Sequence, residues 1–234
     1  VNDMGKYDLY NMYVNRDPRF YASLTFQGAK FRNATEGLER CYHFAYWRNL
    51  EYYTYWWVDG YPNVNTNNET GYGLRKFMNP VADIKNWIGT SSNYPLFRLA
   101  ELYLIKAEAL NEYYESPNQD VYDAINEVRS RVEMPDLPIV SEDNTKIGMR
   151  KRIRNERRVE LFFEGHRFWD VRRWKEGDKH FKNIVEMKIT KNGDDTYTYE
   201  RKVKERSWDD KMYFFPIPQS EKSKNPNLEQ NPGW

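Results

Sequence analysis

From Met149 to Glu164 the chain reads Met-Arg-Lys-Arg-Ile-Arg-Asn-Glu-Arg-Arg-Val-Glu-Leu-Phe-Phe-Glu. A helix advances about 100° per residue. That spacing puts Met149, Ile153, Glu156, Glu160 and Phe163 in one stripe and turns Arg150, Lys151, Arg154, Arg157 and Arg158 away from it. Two acids therefore lie on the apolar side. A carboxylate facing a core stays charged only if it is paired and hydrogen-bonded, so basic groups must come to meet it. Arg167, Arg172 and Arg173 follow the break at Gly165, and their planar forks suit carboxylates better than lysines do. The expectation is an ion-pair lattice that clamps two helices at Gly165. The alternative is a catalytic pair, since glycosidase carboxyls stand roughly 5 Å apart or more and neighbours at i,i+4 on a helix are about that close. Such a pair would have to reach both sides of a substrate from one helix, which is poor geometry.

The totals exclude several functions. With 234 residues the chain can bury a core of useful size. Its 36 basic and 35 acidic residues leave a net charge of +1, too little to hold a polyanion by counterion release, so nucleic acid is not an expected partner. The basic run from Arg150 to Arg158 is interleaved with Glu156, Glu160 and Glu164 and reads as a solvated helix face. Cys41 is the single cysteine, which rules out an internal disulfide framework and a cysteine-rich metal site. His43, His166 and His180 are scattered and form no metal-binding motif. No phosphate-cradling glycine loop or nucleophile elbow is present, and no cofactor or catalytic residue is expected. No apolar run reaches the ~18 residues of a membrane span, and Val1-Asn2-Asp3 does not open a signal peptide.

Residues 42–61 carry the strongest binding signal. Ten of these twenty are aromatic: Tyr42, Phe44, Tyr46, Trp47, Tyr52, Tyr53, Tyr55, Trp56, Trp57 and Tyr61. Only Leu50 and Val58 supply the aliphatic side chains that a core element would use, and no single helical or strand face accounts for so many rings. Contiguous rings at a surface mark a binding site. The C–H faces of sugars fit such rings, while Arg48, Asn63 and Asn65 can exchange hydrogen bonds with hydroxyls. Within this aromatic-rich stretch, taken as 42–70, Trp47, Trp56, Trp57 and Tyr61 are the expected stacking rings. The competing reading is that many of them pack beneath their own loop.

Elsewhere the pattern is mostly helical. Asn15 to Phe20 reads as a capped turn without chemistry, ahead of a short strand at Tyr21 to Phe26. From Pro95 an amphipathic helix is expected, with Arg98, Glu101, Glu108, Asn111, Glu112 and Glu115 on one arc and Leu99, Tyr103, Lys106 and Leu110 on another. Ser116-Pro117-Asn118 ends it, and Val121, Ala124, Ile125, Val128 and Val132 mark a second helix. So short a link makes the two antiparallel, like one unit of a tetratricopeptide array. A lone unit cannot cover both of its faces. Met134 to Pro138 breaks the second helix. After Gly177, alternation at Val185, Met187 and Ile189, a turn at Asn192-Gly193, and Tyr197, Tyr199 and Val203 predict a β-hairpin. Tyr213 to Pro218 is extended and lies over the helices as a lid, because its prolines disfavour helix; a turn-rich tail follows.

Three segments in order resemble the SusD/RagB family. They are Asn155 to Arg167 with Trp169 to Trp174, then Tyr94 to Ala109, then Phe215 to Glu221 with Asn225 to Trp234. Asp17-Pro18-Arg19-Phe20 and Thr70 to Phe77 are similar to the same family. The resemblance implies a mainly α, SusD-like fold, with a tetratricopeptide-like helix pair, C-terminal helices, a small β-hairpin and long loops. It further implies that residues 1–234 are a C-terminal region whose N-terminal helical repeats and lipid-anchored leader are absent. Members are surface lipoproteins of the outer membrane that capture nutrients, so the implied partners are an oligosaccharide or polysaccharide and a SusC-like TonB-dependent transporter. The long connection before the Thr-Gly-Tyr-type segment contributes to the glycan site in that family. The function expected is non-enzymatic glycan capture by stacking. The alternatives are a helical glycoside hydrolase or a binder of peptide or another non-sugar nutrient.

Overall fold

The computed structural model describes residues 13–26, 30–33, 37–40, 72–78, 93–191 and 197–234. The chain divides into two compact units, one of residues 1–167 with 187–200 and the other of residues 168–186 with 201–234. The fold is mainly α, with two-stranded sheets beside the helices in the element order.

In the first unit, helix α1 spans Pro18–Ser23, where a strand is expected from Tyr21. Asp17 decides this, because its side chain accepts from the Arg19 N–H as an N-cap while Pro18 fills the first helical position. Strand β1 (Leu24–Phe26) follows and pairs antiparallel with β4 (Tyr72–Leu74), Thr25 opposite Gly73. Tyr13, Phe20, Phe26 and Tyr72 pack their rings around this ribbon, with Tyr13 and Phe26 4.4 Å apart. Strands β2 (Lys30–Asn33) and β3 (Gly37–Arg40) form a second antiparallel pair.

Three helices make the core of this unit: α2 (Leu99–Tyr113), α3 (Gln119–Ser130) and α4 (Lys146–Glu160). Leu104 and Ala107 of α2 meet Val121, Ala124, Ile125 and Val128 of α3 and Met149 and Ile153 of α4, all fully or nearly fully buried. Asn118 caps α3 and Thr145 caps α4, and Val121 to Val128 pack inward as their spacing predicts. Between these helices Asp143 gathers the Ile139 and Val140 N–H groups and Arg152 Nε. Burial opposes its charge, but those bonds and Arg152 prevail and hold its pKa low.

Helix α2 departs from expectation twice. It begins at Leu99 and not near Pro95, with Arg98 as N-cap contributing no side-chain capping bond. Its wheel is also apolar on two sides. Leu104, Ala107 and Asn111 face the core, while Leu102 is 60% exposed and Leu99 and Ile105 are exposed beside it. Asn111 fits inside because its amide donates to the Lys146 carbonyl.

In the second unit, α5 (His166–Arg173) contributes its residues from Phe168 onward, and α6 (Gly177–Phe181) follows. Strands β5 (Asn183–Lys191) and β6 (Tyr197–Glu205), which run through both units, pair as the expected hairpin; the turn at Asn192-Gly193 lies outside the described residues. A 3-10 turn at Asp210–Tyr213 precedes the extended Phe214, so the extended segment starts one residue later than its prolines suggest. Phe215 stands 6.2 Å from Phe168 and 6.3 Å from Trp169, ring to ring, so this segment does lie against α5. The tail is not all turn, since α7 occupies Gln219–Lys224. Gly177 is required by close approach, because a β-carbon there would sit 1.9 Å from Cζ2 of Trp208. No helix among the described residues is long and apolar enough to cross a membrane.

Two contrasts test this packing. Leu104→Ala should cost about 2–5 kcal/mol and Leu102→Ala about 0.5 kcal/mol or less in urea denaturation of this chain. Gly177→Ala should destabilise by about 1–3 kcal/mol through overpacking against Trp208.

Candidate functional site: a charged brace carrying exposed rings

Glu156 and Glu160 are buried on α4, as their place in the stripe requires. The arginines that meet them differ from those expected. Arg172 lies instead against Phe168 and Arg173 pairs with Asp170. The partners come from α1, from the residue before α2, and from the end of α3. Arg19 is the centre. Asp17 takes its Nε and Nη2, and Nη1 is left to bridge Glu156 Oε1 and Glu160 Oε2, the second at 2.9 Å. Arg129 Nη1 donates to Glu156 Oε2 at 2.9 Å while its Nε binds the Pro135 carbonyl. Arg131 Nη2 reaches both oxygens of Glu160 at 2.8 Å. Arg98 spans Glu160 Oε1 and Glu164 Oε2, each at 2.6 Å, and also binds the Glu160 carbonyl. Lys76 donates to Glu164 and to the carbonyls of Glu160 and Phe162, which caps the end of α4.

Among the described residues this lattice sets the cations Arg19, Lys76, Arg98, Arg129 and Arg131 against the carboxylates Asp17, Glu156, Glu160 and Glu164. Burial alone would push the Glu160 carboxyl upward, but hydrogen bonds from Arg98 and Arg19 and the charges of Arg98 and Arg131 outweigh it and hold the group below its usual range. Glu164 is held low against burial by Arg98 and Lys76, and Asp17 by Arg19. Burial likewise disfavours the charge on Arg19 and Arg98, and their carboxylate partners more than reverse it. Every oxygen of Glu156 and Glu160 accepts from an arginine. A general acid needs a proton near neutral pH, and Glu160 is poised the opposite way. The pair is built as a brace.

Two stripe assignments change. Arg157 is buried and lies 3.8 Å from Glu108. Phe163, expected on the apolar side, lies past the helix end at φ +62° and is exposed. Phe77 also takes a left-handed φ, of +72°, in a turn closed by Met78 N–H to the Arg75 carbonyl. Left-handed backbone at a bulky residue is strained and persists only where its surroundings fix it. Lys76 is that fixture, since the residue beside Phe77 is anchored in the brace. Tyr94 joins these two rings: its ring is 5.1 Å from that of Phe77, and its hydroxyl donates to the Phe163 carbonyl at 3.4 Å. Tyr94 and Phe163 are each more than half exposed. Rings held this way can receive the C–H face of a ligand, with the Tyr94 hydroxyl as a polar edge.

Trp47, Arg48, Trp56, Trp57, Tyr61, Asn63 and Asn65, and the whole of residues 42–70, lie outside the described residues. The segment rejoins the described chain at Tyr72, five residues before Phe77. Sequence reasoning missed Phe77, Tyr94 and Phe163 as ring donors. Their signals were a bulky residue in a turn, a ring beside Pro95, and a ring just before Gly165.

The SusD family model matches residues 2–234. This chain belongs to the SusD family. The SusD-like protein P38 of Formosa agariphila is 38% identical over an alignment of 146 positions that covers 49% of this chain and 29% of that protein. A SusD-like protein of Bacteroides fragilis superimposes with a TM-score of 0.78 at 30% identity, covering 97% of this chain and 41% of that one. A SusD-like carbohydrate binding protein of the same organism gives 0.69 at 27% identity, over 97% and 44% of the two chains. The chain thus spans less than half the length of these relatives.

Acid should reveal the brace. The carboxyls of Glu160, Glu164 and Asp17 are depressed on folding, so their stabilisation is complete above the unfolded values of about 4.3 and 3.9 and is lost as pH falls through the lower folded ones. Melting temperature should be flat between about pH 7 and 5 and fall below about pH 4. Glu160→Gln should cost about 3–5 kcal/mol at pH 7 and make the acid decline shallower.

Proposed function

We propose that this SusD-family protein captures an oligosaccharide by aromatic stacking at the cell surface and passes it to a SusC-like TonB-dependent transporter in the outer membrane. The observation that carries the reading is the density of rings at residues 42–61, ten in twenty, in a chain whose family includes a relative named as carbohydrate binding. Trp47, Trp56, Trp57 and Tyr61 supply stacking faces, and Arg48, Asn63 and Asn65 supply hydrogen bonds to hydroxyls. The brace holds the rings of Phe77, Tyr94 and Phe163. Capture and release need no covalent step. Affinity rests on a few ring contacts and falls roughly between micromolar and millimolar.

The share of each relative that is matched supports a longer parent protein. In that protein, preceding helical repeats would cover the outer face of α2, and an N-terminal lipid would anchor the whole to the membrane.

Calorimetry against a panel of oligosaccharides tests the reading, with chromatography of the same mixtures for cleavage products. The expected result is binding without product, weakened about tenfold or more by Trp56→Ala or Trp57→Ala with the fold intact. Cleavage of any member, or binding indifferent to both substitutions, contradicts it.

A further inference from the structure

The second unit holds a cation that meets no anion among the described residues. Arg172, near the end of α5, places its guanidinium carbon 3.6 Å from the centre of the Phe168 ring, with Phe215, Phe181 and Trp208 at 5.3, 5.6 and 5.8 Å. Its Nε and Nη1 are buried without an acceptor among the described residues, and so is the indole Nε1 of Trp208 in the same cluster. Two acids close in sequence are committed elsewhere. Asp170 pairs with Arg173 at 2.9 Å, and Glu176 with His180 and Lys179. Burial shifts the Arg172 pKa downward, the direction of a charge that lacks compensation. By contrast Arg19 and Arg129, the buried arginines of the brace, each meet a carboxylate.

Stacking on rings offsets part of the cost, since the negative face of an aromatic ring attracts a cation. It does not supply acceptors for the N–H groups, and a buried donor left without one is costly. The residue as a whole remains partly exposed while Nε and Nη1 themselves are buried, so an anion reaches them by displacing the side chains that cover them. The rings at that approach are also open, Phe168 at 39%, Phe215 at 57% and Trp169 at 59%. A planar fork that recognises carboxylate, edged by flat apolar faces, suits a ligand that carries its acid on a ring with an apolar C–H side.

We infer that Arg172, with Phe168, Trp169, Phe215 and Trp208, forms a site for the carboxylate of an acidic sugar, a uronic acid residue of a glycan. The carboxylate completes the hydrogen bonding of Arg172, and the pyranose face lies on the exposed rings. The site includes none of residues 42–61 and stands whether or not those rings bind.

Calorimetric titration of the intact chain with sodium glucuronate, glucose, sodium acetate and sodium sulfate tests it. A parallel reading follows the Arg172 Nε–H cross-peak by NMR. The expected result is saturable glucuronate binding that moves the Nε–H signal, at least about tenfold tighter than glucose, acetate or sulfate. Arg172→Met, which keeps apolar packing, should weaken it about tenfold or more, and Arg172→Lys by less. Glucuronate no tighter than glucose overturns the site. Acetate or sulfate binding equally well overturns its sugar component. An unmoved Nε–H signal overturns it even if Arg172→Met fails to fold.

Discussion

Arg19 sits where three parts of the first unit meet, and its neighbours explain why it can be there. Asp17 takes two of its nitrogens, so the fork is oriented before the third reaches Glu156 and Glu160. Removing two carboxylates from water is expensive, and only full hydrogen bonding repays it. Here repayment comes from separate elements, with Arg129 and Arg131 at the end of α3, Arg98 before α2 and Lys76 after β4. Each cation ties its own segment to α4. Segments far apart in sequence are thereby held in one arrangement that apolar packing alone would leave less specific.

The brace also determines where rings are shown. Lys76 precedes Phe77, Arg98 follows Tyr94 by four residues, and Glu164 follows Phe163 directly. Phe77 and Phe163 thus stand next to a charged group that is pinned, and both adopt left-handed backbone that a loose loop would relax. A binding surface gains from this, because rings already ordered lose little freedom when a ligand arrives. For a protein of the SusD family, rigid support beneath exposed rings is consistent with capture by stacking.

Much of the fold was legible in the sequence. The 3 and 4 spacing of Val121 to Val128 gave α3 and its buried face, and the acids of the α4 stripe announced a lattice. Its membership was not legible. Arg19 lies 137 residues from Glu156, and nothing local distinguishes an arginine that will cross that distance from one in a capped turn. Arg172 and Arg173 were closer in sequence, but the former found rings and the latter Asp170. Helix α2 misled for a different reason. It carries apolar residues on two sides, so the polar arc chosen from its wheel included Asn111, which is buried. The candidate rings of residues 42–61 were proposed from a surplus and not from geometry, because stacking rings show no spacing rule of the kind that metal or nucleophile motifs impose.

A double-mutant cycle between Arg19 and Glu156 bears most directly on the brace. Urea denaturation of the parent chain, Arg19→Met, Glu156→Gln and the combined variant yields the coupling between the two side chains. A brace predicts single substitutions that each destabilise strongly and a double variant that is less harmed than their sum, with coupling of about 1–3 kcal/mol. Strictly additive effects would mean that Arg19 and Glu156 act independently, and the lattice would not be what holds α1 to α4.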